Sequence, residues 1–175
     1  MKAKIARQPY DGDLYKQGVR EAVRDSVARQ VDSGIDIPND GEQSKPGFFA
    51  YVTDRLGGFE ARPGARPTMF EAEARAFPEY YAQYFRHAML GGAFAPPAAF
   101  GCTAPVEYHG QEAVQADIQN FKSALEGRGV AQAFLPAVSP GGVGQNEYYK
   151  TQEKFLQAAR TQCAVSTRRS WRPAS

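Results

Sequence analysis

The residues best suited to chemistry lie together in one short segment: Asn39, Asp40, Gly41 and Glu42. Two carboxylates and an amide within four residues could bind a cation or an ammonium group through charge-assisted hydrogen bonds. The same residue types are also common where a turn leads into a helix. There Asn or Asp caps the helix, Gly takes a positive φ, and Glu lies in the first turn. Residue types alone favour the cap, and an acidic binding turn is the alternative.

Cysteine and histidine give a weaker signal. The chain has two cysteines, Cys102 and Cys163, and two histidines, His87 and His109. Their spacing matches no zinc motif, and two cysteines are too few for a disulfide framework. We therefore expect no metal site built from this chain alone. By itself, Cys102 is interpreted as a small apolar core residue.

Composition narrows the class of protein. A length of 175 residues suits one hydrophobic core, and a net charge of +2 gives no reason to propose a nucleic-acid or membrane partner. No apolar run approaches the roughly 20 residues needed to span a bilayer. We expect a cytoplasmic protein that acts on a small molecule.

Hydrophobic spacing predicts the helices. Apolar residues recur every four positions from Val19 to Val31, which predicts a helix over about residues 13–33. A second amphipathic helix is predicted over 111–127. Further helices are predicted over 46–56, over 69–87 with a break at Pro78, and over 145–159.

Short strands are predicted between these helices, over residues 35–37, 100–108 and 130–138, with loops over 59–68 and 90–99. Alternating strands and helices indicate βαβ units on a parallel sheet. The acidic segment would then follow the carboxyl end of a strand, where α/β proteins bind ligands.

Two sequence motifs carry a family resemblance: GIDIPNDGE at residues 34–42 and YVTDRLGGFE at residues 51–60. They are similar to the GIDxxxDGE and YVxxRLxGFE words in the barrel domain of cobalamin-independent methionine synthase and its shorter relatives. The resemblance covers roughly residues 6–158 and implies an α/β fold, the front half of a (β/α)8 TIM-type barrel without its first strand. It divides the chain into a partial barrel domain, 1–159, and a tail, 160–175.

The resemblance also implies a function, the transfer of a methyl or alkyl group to a thiol. In this family the donor is methyltetrahydrofolate and the acceptor is homocysteine, so the product is methionine. Glu42 matches the glutamate that contacts the substrate amino group, and Asp40 stands where methionine synthase proper has a histidine. Cys102 falls where the family has an Arg-Cys pair near the folate, with Gly101 replacing the arginine. Glu42, Asp40 and Cys102 are thus the expected substrate-binding residues.

The family's catalytic zinc raises a difficulty. Its ligands are a His-x-Cys pair, a glutamate and a distant cysteine in the later half of the barrel, and none of them is found here. The expectation is an inactive fragment that binds no zinc. The alternatives are a non-catalytic remnant, or a half-barrel complemented by another chain through unpaired sheet edges. A decarboxylase barrel of the uroporphyrinogen type is a weaker alternative, because the glutamate turn and the YVTDRLGGFE word speak against it.

The tail differs from the rest of the chain. After Glu153 it contains no acidic residue, while arginine recurs among Ser, Thr, Gln and Pro. Back-translated with permitted codons and read in another frame, residues 160–175 can spell DAMRREYEAIVAAGF, which resembles the family's continuation. We therefore expect a disordered, basic, frameshift-derived tail. A simple anion-binding tail is the alternative.

Overall fold

The computed structural model describes residues 2–5, 8–47, 51, 54–62, 70–84 and 99–170. The chain is a mixed α/β protein with a three-stranded sheet, β1 (Leu56–Arg62), β2 (Ala99–Tyr108) and β3 (Gln145–Asn146). The α-helices are α1 (Lys2–Ile5), α2 (Gly12–Asp32), α3 (Glu71–Ala76), α4 (Pro78–Tyr84), α5 (Gln111–Leu125) and α6 (Gln152–Ser170). A short 3-10 turn covers Pro140–Gly142.

The sheet has the order β1-β2-β3 and mixed directions. β1 runs antiparallel to β2, with Leu56 opposite Tyr108 and Arg62 opposite Ala99, whereas β3 runs parallel to β2. The predicted all-parallel sheet is therefore wrong for the described strands. The predicted strand over 100–108 is confirmed as β2. The loop predicted over 59–68 is wrong up to Arg62, and residues 63–68 lie outside the described part.

A bulge between β1 and β2 explains why the sequence concealed β1. Gly57 pairs with Glu107 and Phe59 pairs with Cys102, so β2 carries extra residues opposite Gly58. Gly58 has a φ of 90°, and a Cβ there would lie 2.4 Å from the Pro105 carbonyl oxygen. A glycine pair that resembles a helix end thus lies within a strand. Pro105, which has no N–H, falls where the ladder is interrupted.

Two clusters of buried apolar side chains form the core. One joins α2 and α5 and consists of Val19, Val23, Val27, Phe121 and Ala124. The other is centred on β2 and α6 and consists of Tyr51, Leu56, Cys102, Val106, Tyr108, Val138, Val143, Phe155 and Ala159. The helices predicted over 13–33 and 111–127 are confirmed, because their apolar stripes fill the first cluster.

The strands predicted over 35–37 and 130–138 are wrong. These segments meet in a single parallel bridge between Asn39 and Phe134. Ile35, Ile37 and Phe134 are about half exposed instead of buried. One bridge supplies too few backbone hydrogen bonds to maintain a regular strand pair.

The end of the chain also differs from its prediction. Asn146 accepts from the Tyr149 N–H at 2.8 Å, and Thr151 accepts from the Lys154 N–H, so the helix begins at Gln152 and not at 145. α6 then continues to Ser170, which contradicts a disordered tail over 160–170. Cys163 packs on the second core cluster four residues after buried Ala159, so helical periodicity persists. Residues 171–175 lie outside the described part.

Two other helix predictions have mixed outcomes. The helix predicted over 69–87 is broken as expected, because Phe77 leaves the helical region immediately before Pro78. The helix predicted over 46–56 lies partly on residues outside the described part, and its end is wrong because Leu56 starts β1. None of the described helices combines the length and apolar character needed to cross a membrane.

Candidate functional site

The acidic turn, residues 39–42, is held against α2. The Gln30 side-chain amide donates to the Asn39 carbonyl at 2.9 Å and accepts from the Asn39 N–H at 3.0 Å. Gly41 has a φ of 65°, and a Cβ at this position would lie 2.2 Å from Ser26 Oγ. Glycine therefore lets the turn lie this close to the helix.

The side chains of Asn39 and Asp40 fix the shape of the turn. Asn39 Oδ1 accepts from the Gly41 N–H at 2.8 Å, and Asp40 Oδ1 accepts from the Glu42 N–H at 3.1 Å. Each residue thus closes a local turn and does not cap a helix. Glu42 has a φ of 55°, in the left-handed region that costs a non-glycine residue about 1–3 kcal/mol. Such strain is typical of functional positions.

Glu42 has one carboxylate oxygen that is enclosed but lacks a donor. Glu42 Oε1 has no hydrogen-bond partner among the described residues, although Lys45 Nζ lies 3.5 Å away. The side chain as a whole is 34% exposed, although Oε1 itself is enclosed. Ser44 Oγ is likewise enclosed without a partner in the described part of the chain. Enclosed polar atoms are usually satisfied, so a ligand is a natural source of the missing partners.

Lys45 supplies the positive charge next to the turn. Its side chain is only 3% exposed, and Nζ donates to the Pro136 carbonyl at 2.8 Å. Nζ also lies 5.1 Å from the centre of the Tyr51 ring, within the range of a cation–π interaction.

Tyr51 and an ion pair connect the turn to α5. The Arg55 guanidinium lies 5.0 Å from the Tyr51 ring, so the ring has two cations within cation–π range. Arg55 Nη2 donates to Asp117 Oδ2 on α5. The Tyr51 hydroxyl accepts from the Val138 N–H at 3.0 Å. The term polar cluster is used below for the six residues Asp40, Glu42, Lys45, Tyr51, Arg55 and Asp117.

Burial controls the ionisation of two members of this cluster. Burial raises the pKa of Asp40 above its ordinary value of 3.8, and the Lys45 charge and the Glu42 N–H partly oppose the rise. Burial also raises the pKa of Tyr51, against the Val138 hydrogen bond and the Arg55 charge. Asp40 is 2% exposed, so little water is available to stabilise its charged form. Among the influences that favour that charged form, the Lys45 charge is the largest.

Cys102 does not join the acidic turn through a hydrogen bond. It lies on β2, is 0% exposed, and its thiol donates to the Ala104 carbonyl at 3.3 Å. Burial raises its pKa, which favours the unreactive thiol form. The structure thus brings Glu42 and Asp40 together and leaves Cys102 in the apolar core.

The residues that the structure describes do not assemble the zinc site that the resemblance implies. Within the described ranges, no three His, Cys, Asp or Glu side chains are grouped so that they could hold a metal ion. Cys102 and Cys163 lie on β2 and α6, and His109 is exposed beside Glu107. His87 lies outside the described residues.

A groove of about 410 Å³ runs along the first half of α2 and ends beside the acidic turn. Its walls include Tyr10, Leu14 and Tyr15, and also Gln43, which directly follows Glu42. The Tyr15 hydroxyl donates to the Ser44 carbonyl at 3.2 Å, so the groove and the turn share a wall.

Comparisons with family models, with curated proteins and with solved structures gave no match. The site must therefore be interpreted from its own geometry.

Sequence reasoning missed Lys45 and Asp117 as members of the site. For Asp117 a signal was present, since it lies three residues after Val114 and four before Phe121, on the buried face of α5. A lone carboxylate on an apolar helix face indicates a buried cationic partner. For Lys45 the sequence carries no such signal, because its burial depends on contacts with other segments. One is with Pro136, far along the chain, and the other is with the Tyr51 ring.

Proposed function

We propose that the acidic turn binds the ammonium group of an amino-acid thiol, as part of methyl or alkyl transfer to that thiol. The observation that carries the proposal is the enclosed Glu42 Oε1, which has no hydrogen-bond donor among the described residues. An ammonium group supplies both a donor and a compensating charge. The partial exposure of Glu42 leaves a side from which a small ligand can approach.

The strained backbone of Glu42 supports the same proposal. A left-handed glutamate persists only where the surrounding contacts impose it, and here Asn39, Asp40 and Gln30 do so through hydrogen bonds. The strain fixes the carboxylate before the ligand arrives, and binding to a fixed group costs less conformational entropy. Glu42 is thus proposed to orient the substrate, with Asp40 as the residue that shapes its turn.

The reaction implied by the resemblance moves a methyl group from methyltetrahydrofolate to the thiol of homocysteine. The bond from carbon to the folate nitrogen breaks, a carbon–sulfur bond forms, and the thiol proton is transferred to the folate nitrogen. Because the residues that the structure describes do not assemble a zinc site, we propose that this chain orients the amino acid and does not activate the thiol by itself. Cys102 is proposed at most to line the neighbouring core.

The finer fold belongs to the same proposal. We infer that the described elements are part of the front half of a (β/α)8 barrel, in which the segments at Asn39 and Phe134 take the places of two neighbouring strands although they share only one bridge. One observation supports this: the Asn39–Phe134 bridge is parallel. The antiparallel pair of β1 and β2 would then be an insertion beside the barrel wall.

A second candidate function is supported by exposed apolar side chains. Ile35, Ile37 and Phe134 are about half exposed on the two segments that meet in the single bridge. Exposed apolar segments of this kind pair readily with another chain. We propose that a non-catalytic binding half would associate here with a complementing half-barrel. Light scattering after size-exclusion chromatography tests whether this segment is a contact surface. Without a complementing half, the isolated chain should self-associate through the segment, and Ile37→Lys should reduce that self-association.

Calorimetric titration with L-methionine and L-homocysteine tests the principal proposal. We expect Glu42→Gln to weaken binding roughly 10- to 100-fold, because a charge-assisted hydrogen bond contributes about 1.5–3 kcal/mol. The matched change Glu112→Gln, on an exposed position of α5, should leave affinity unchanged. A methionine analogue without the amino group, 4-(methylsulfanyl)butanoate, should not bind. Equal affinities of the original chain and Glu42→Gln would contradict the proposal.

A further inference from the structure

We propose that Lys45 is the positioning residue that keeps the buried Asp40 carboxylate ionised beside Glu42 and so sets the lower pH limit for binding an ammonium group. This inference rests on the proposed function. Lys45 is not among the expected substrate-binding residues, and no part of the reaction described above requires it.

The first support is the way in which Lys45 is fixed. Its ammonium group is nearly excluded from solvent, with 3% of the side chain exposed. Three neighbours define its position: the Pro136 carbonyl at 2.8 Å, the Tyr51 ring centre at 5.1 Å and Glu42 Oε1 at 3.5 Å. Only the first of these is a hydrogen bond. Burying an ammonium group is costly unless nearby negative charge compensates for it.

The second support is the distribution of charge around the turn. The charged groups that act on Asp40 are Glu42, Lys45 and Asp117 of α5. Those that act on the neighbouring Tyr51 are Arg55, Glu42 and Cys163 of α6. Arg55 donates directly to Asp117, so that cation already has a carboxylate partner. Lys45 is left as the cation next to Asp40 and Glu42 within the described part of the chain. With Lys45 the two carboxylates carry one excess negative charge, which matches one ligand ammonium.

Removing Lys45 should act in opposite directions at low and high pH. Without the ammonium, the buried Asp40 carboxylate protonates at higher pH, so a cationic ligand loses part of the negative charge that attracts it sooner as the solution becomes acidic. At alkaline pH the carboxylates carry their charge with or without Lys45. In the variant, the ligand ammonium is then no longer repelled by the Lys45 ammonium. A residue that merely held the turn together would instead weaken binding by the same factor at every pH.

The experiment is a titration of L-methionine into the full chain and into Lys45→Met, at several values between about pH 5.5 and about pH 8.5. We expect the variant to bind roughly tenfold more weakly at the acidic end, and equally well or more tightly at the alkaline end. Lys16→Met, at a 70% exposed position on α2, is the matched control and should leave the profile unchanged. A uniform loss across the pH range, or no change at all, would overturn the role of Lys45.

A ligand-free measurement separates this inference from the proposed function. In a carbon-13 NMR titration, Lys45→Met should move the ionisation of the Asp40 carboxyl upward by about one pH unit or more. If that ionisation moves and L-methionine binds neither protein, the proposed function is wrong and the control of the carboxylates by Lys45 stands. If the ionisation does not move, the inference is overturned whatever L-methionine does.

Lys45→Met could fail to fold, because it leaves the buried Asp40 carboxylate and the neighbouring Glu42 without a cation. In that case the double variant Asp40→Asn with Lys45→Met should fold, since it removes one of the two charges and keeps the oxygen that accepts from the Glu42 N–H. Recovery of a cooperative unfolding transition would support the inference. A double variant that is as unfolded as the single variant would overturn it.

Discussion

Arg55 and Asp117 form a buried ion pair between residues 62 positions apart, with Arg55 Nη2 at 2.6 Å from Asp117 Oδ2. The two side chains are 11% and 6% exposed. The backbone of Arg55 also accepts from the His109 N–H at 2.8 Å, so this residue joins the segment before β1 to both β2 and α5. The pair therefore fixes the position of Tyr51 relative to α5, and the Tyr51 ring in turn contacts Lys45.

The Arg55–Asp117 pair gives the first prediction. Asp117→Asn leaves the guanidinium buried without its carboxylate, which should lower the free energy of unfolding by about 3–5 kcal/mol. Urea denaturation followed by circular dichroism measures this change. Asp25→Asn is the control, because the Asp25–Arg29 pair on α2 is exposed and should contribute less than about 1 kcal/mol. Similar losses of stability in both variants would contradict the assignment of Arg55 and Asp117 as a buried, stabilising ion pair.

The bulge between β1 and β2 gives the second prediction. Gly58→Ala should destabilise the protein by about 2 kcal/mol or more, because its positive φ is unfavourable for alanine and a Cβ would meet the backbone oxygen of Pro105 at 2.4 Å. In Gly101→Ala the new Cβ would meet the ends of the Glu147 and Arg62 side chains, an exposed ion pair on the surface that can move away more easily than backbone. Thermal denaturation of the two variants should therefore rank Gly58→Ala as much the less stable.

The third prediction concerns pH. The pKa of Asp40 is raised in the folded state by burial, so the carboxyl stabilises the fold when protonated and this contribution is lost as pH rises from about 3.8 through the raised pKa. The stability of the original chain relative to Asp40→Asn should thus fall over that interval. Asparagine keeps the acceptor oxygen, so the comparison isolates the charge. Urea denaturation of both proteins at several pH values measures it, and a difference that grows with pH would show that the sign is wrong.

The fourth prediction uses the two cysteines. Cys102 is fully enclosed and Cys163 is partly exposed, and burial raises the pKa of both thiols. Iodoacetamide at about pH 8 should therefore alkylate Cys163 slowly and Cys102 only after unfolding. Mass spectrometry of the native and urea-unfolded protein distinguishes the two sites. Rapid alkylation of Cys102 in the native protein would indicate an opening to solvent and would revive its expected role near a ligand.

The sequence predicted those elements whose signal is local. α2 and α5 have apolar residues at helical spacing, and Pro78 marks the break between α3 and α4. β1 could not be predicted in the same way. Its glycines resemble a helix end, and the strand exists because β2, more than 40 positions away along the chain, supplies its partner.

The candidate site was likewise predictable only where its signal is local. The residue types of Asp40 and Glu42 indicate an acidic turn, and the resemblance gives that turn a ligand. The enclosure of Glu42 Oε1 and the burial of Lys45 arise from contacts with α2, Tyr51 and Pro136 that no local pattern encodes. The misjudged tail shows the opposite error, since its unusual composition concealed a four-residue repeat from Phe155 through Ala159 to Cys163.

The left-handed backbone of Glu42 has a consequence for how this chain would evolve. Glycine or asparagine adopts that conformation more easily, so a library selected for heat resistance alone should replace the glutamate. Selection that also demands ligand capture should retain it. The amino acid found at position 42 after each selection would thus record which demand was imposed, without an assay of the purified variants.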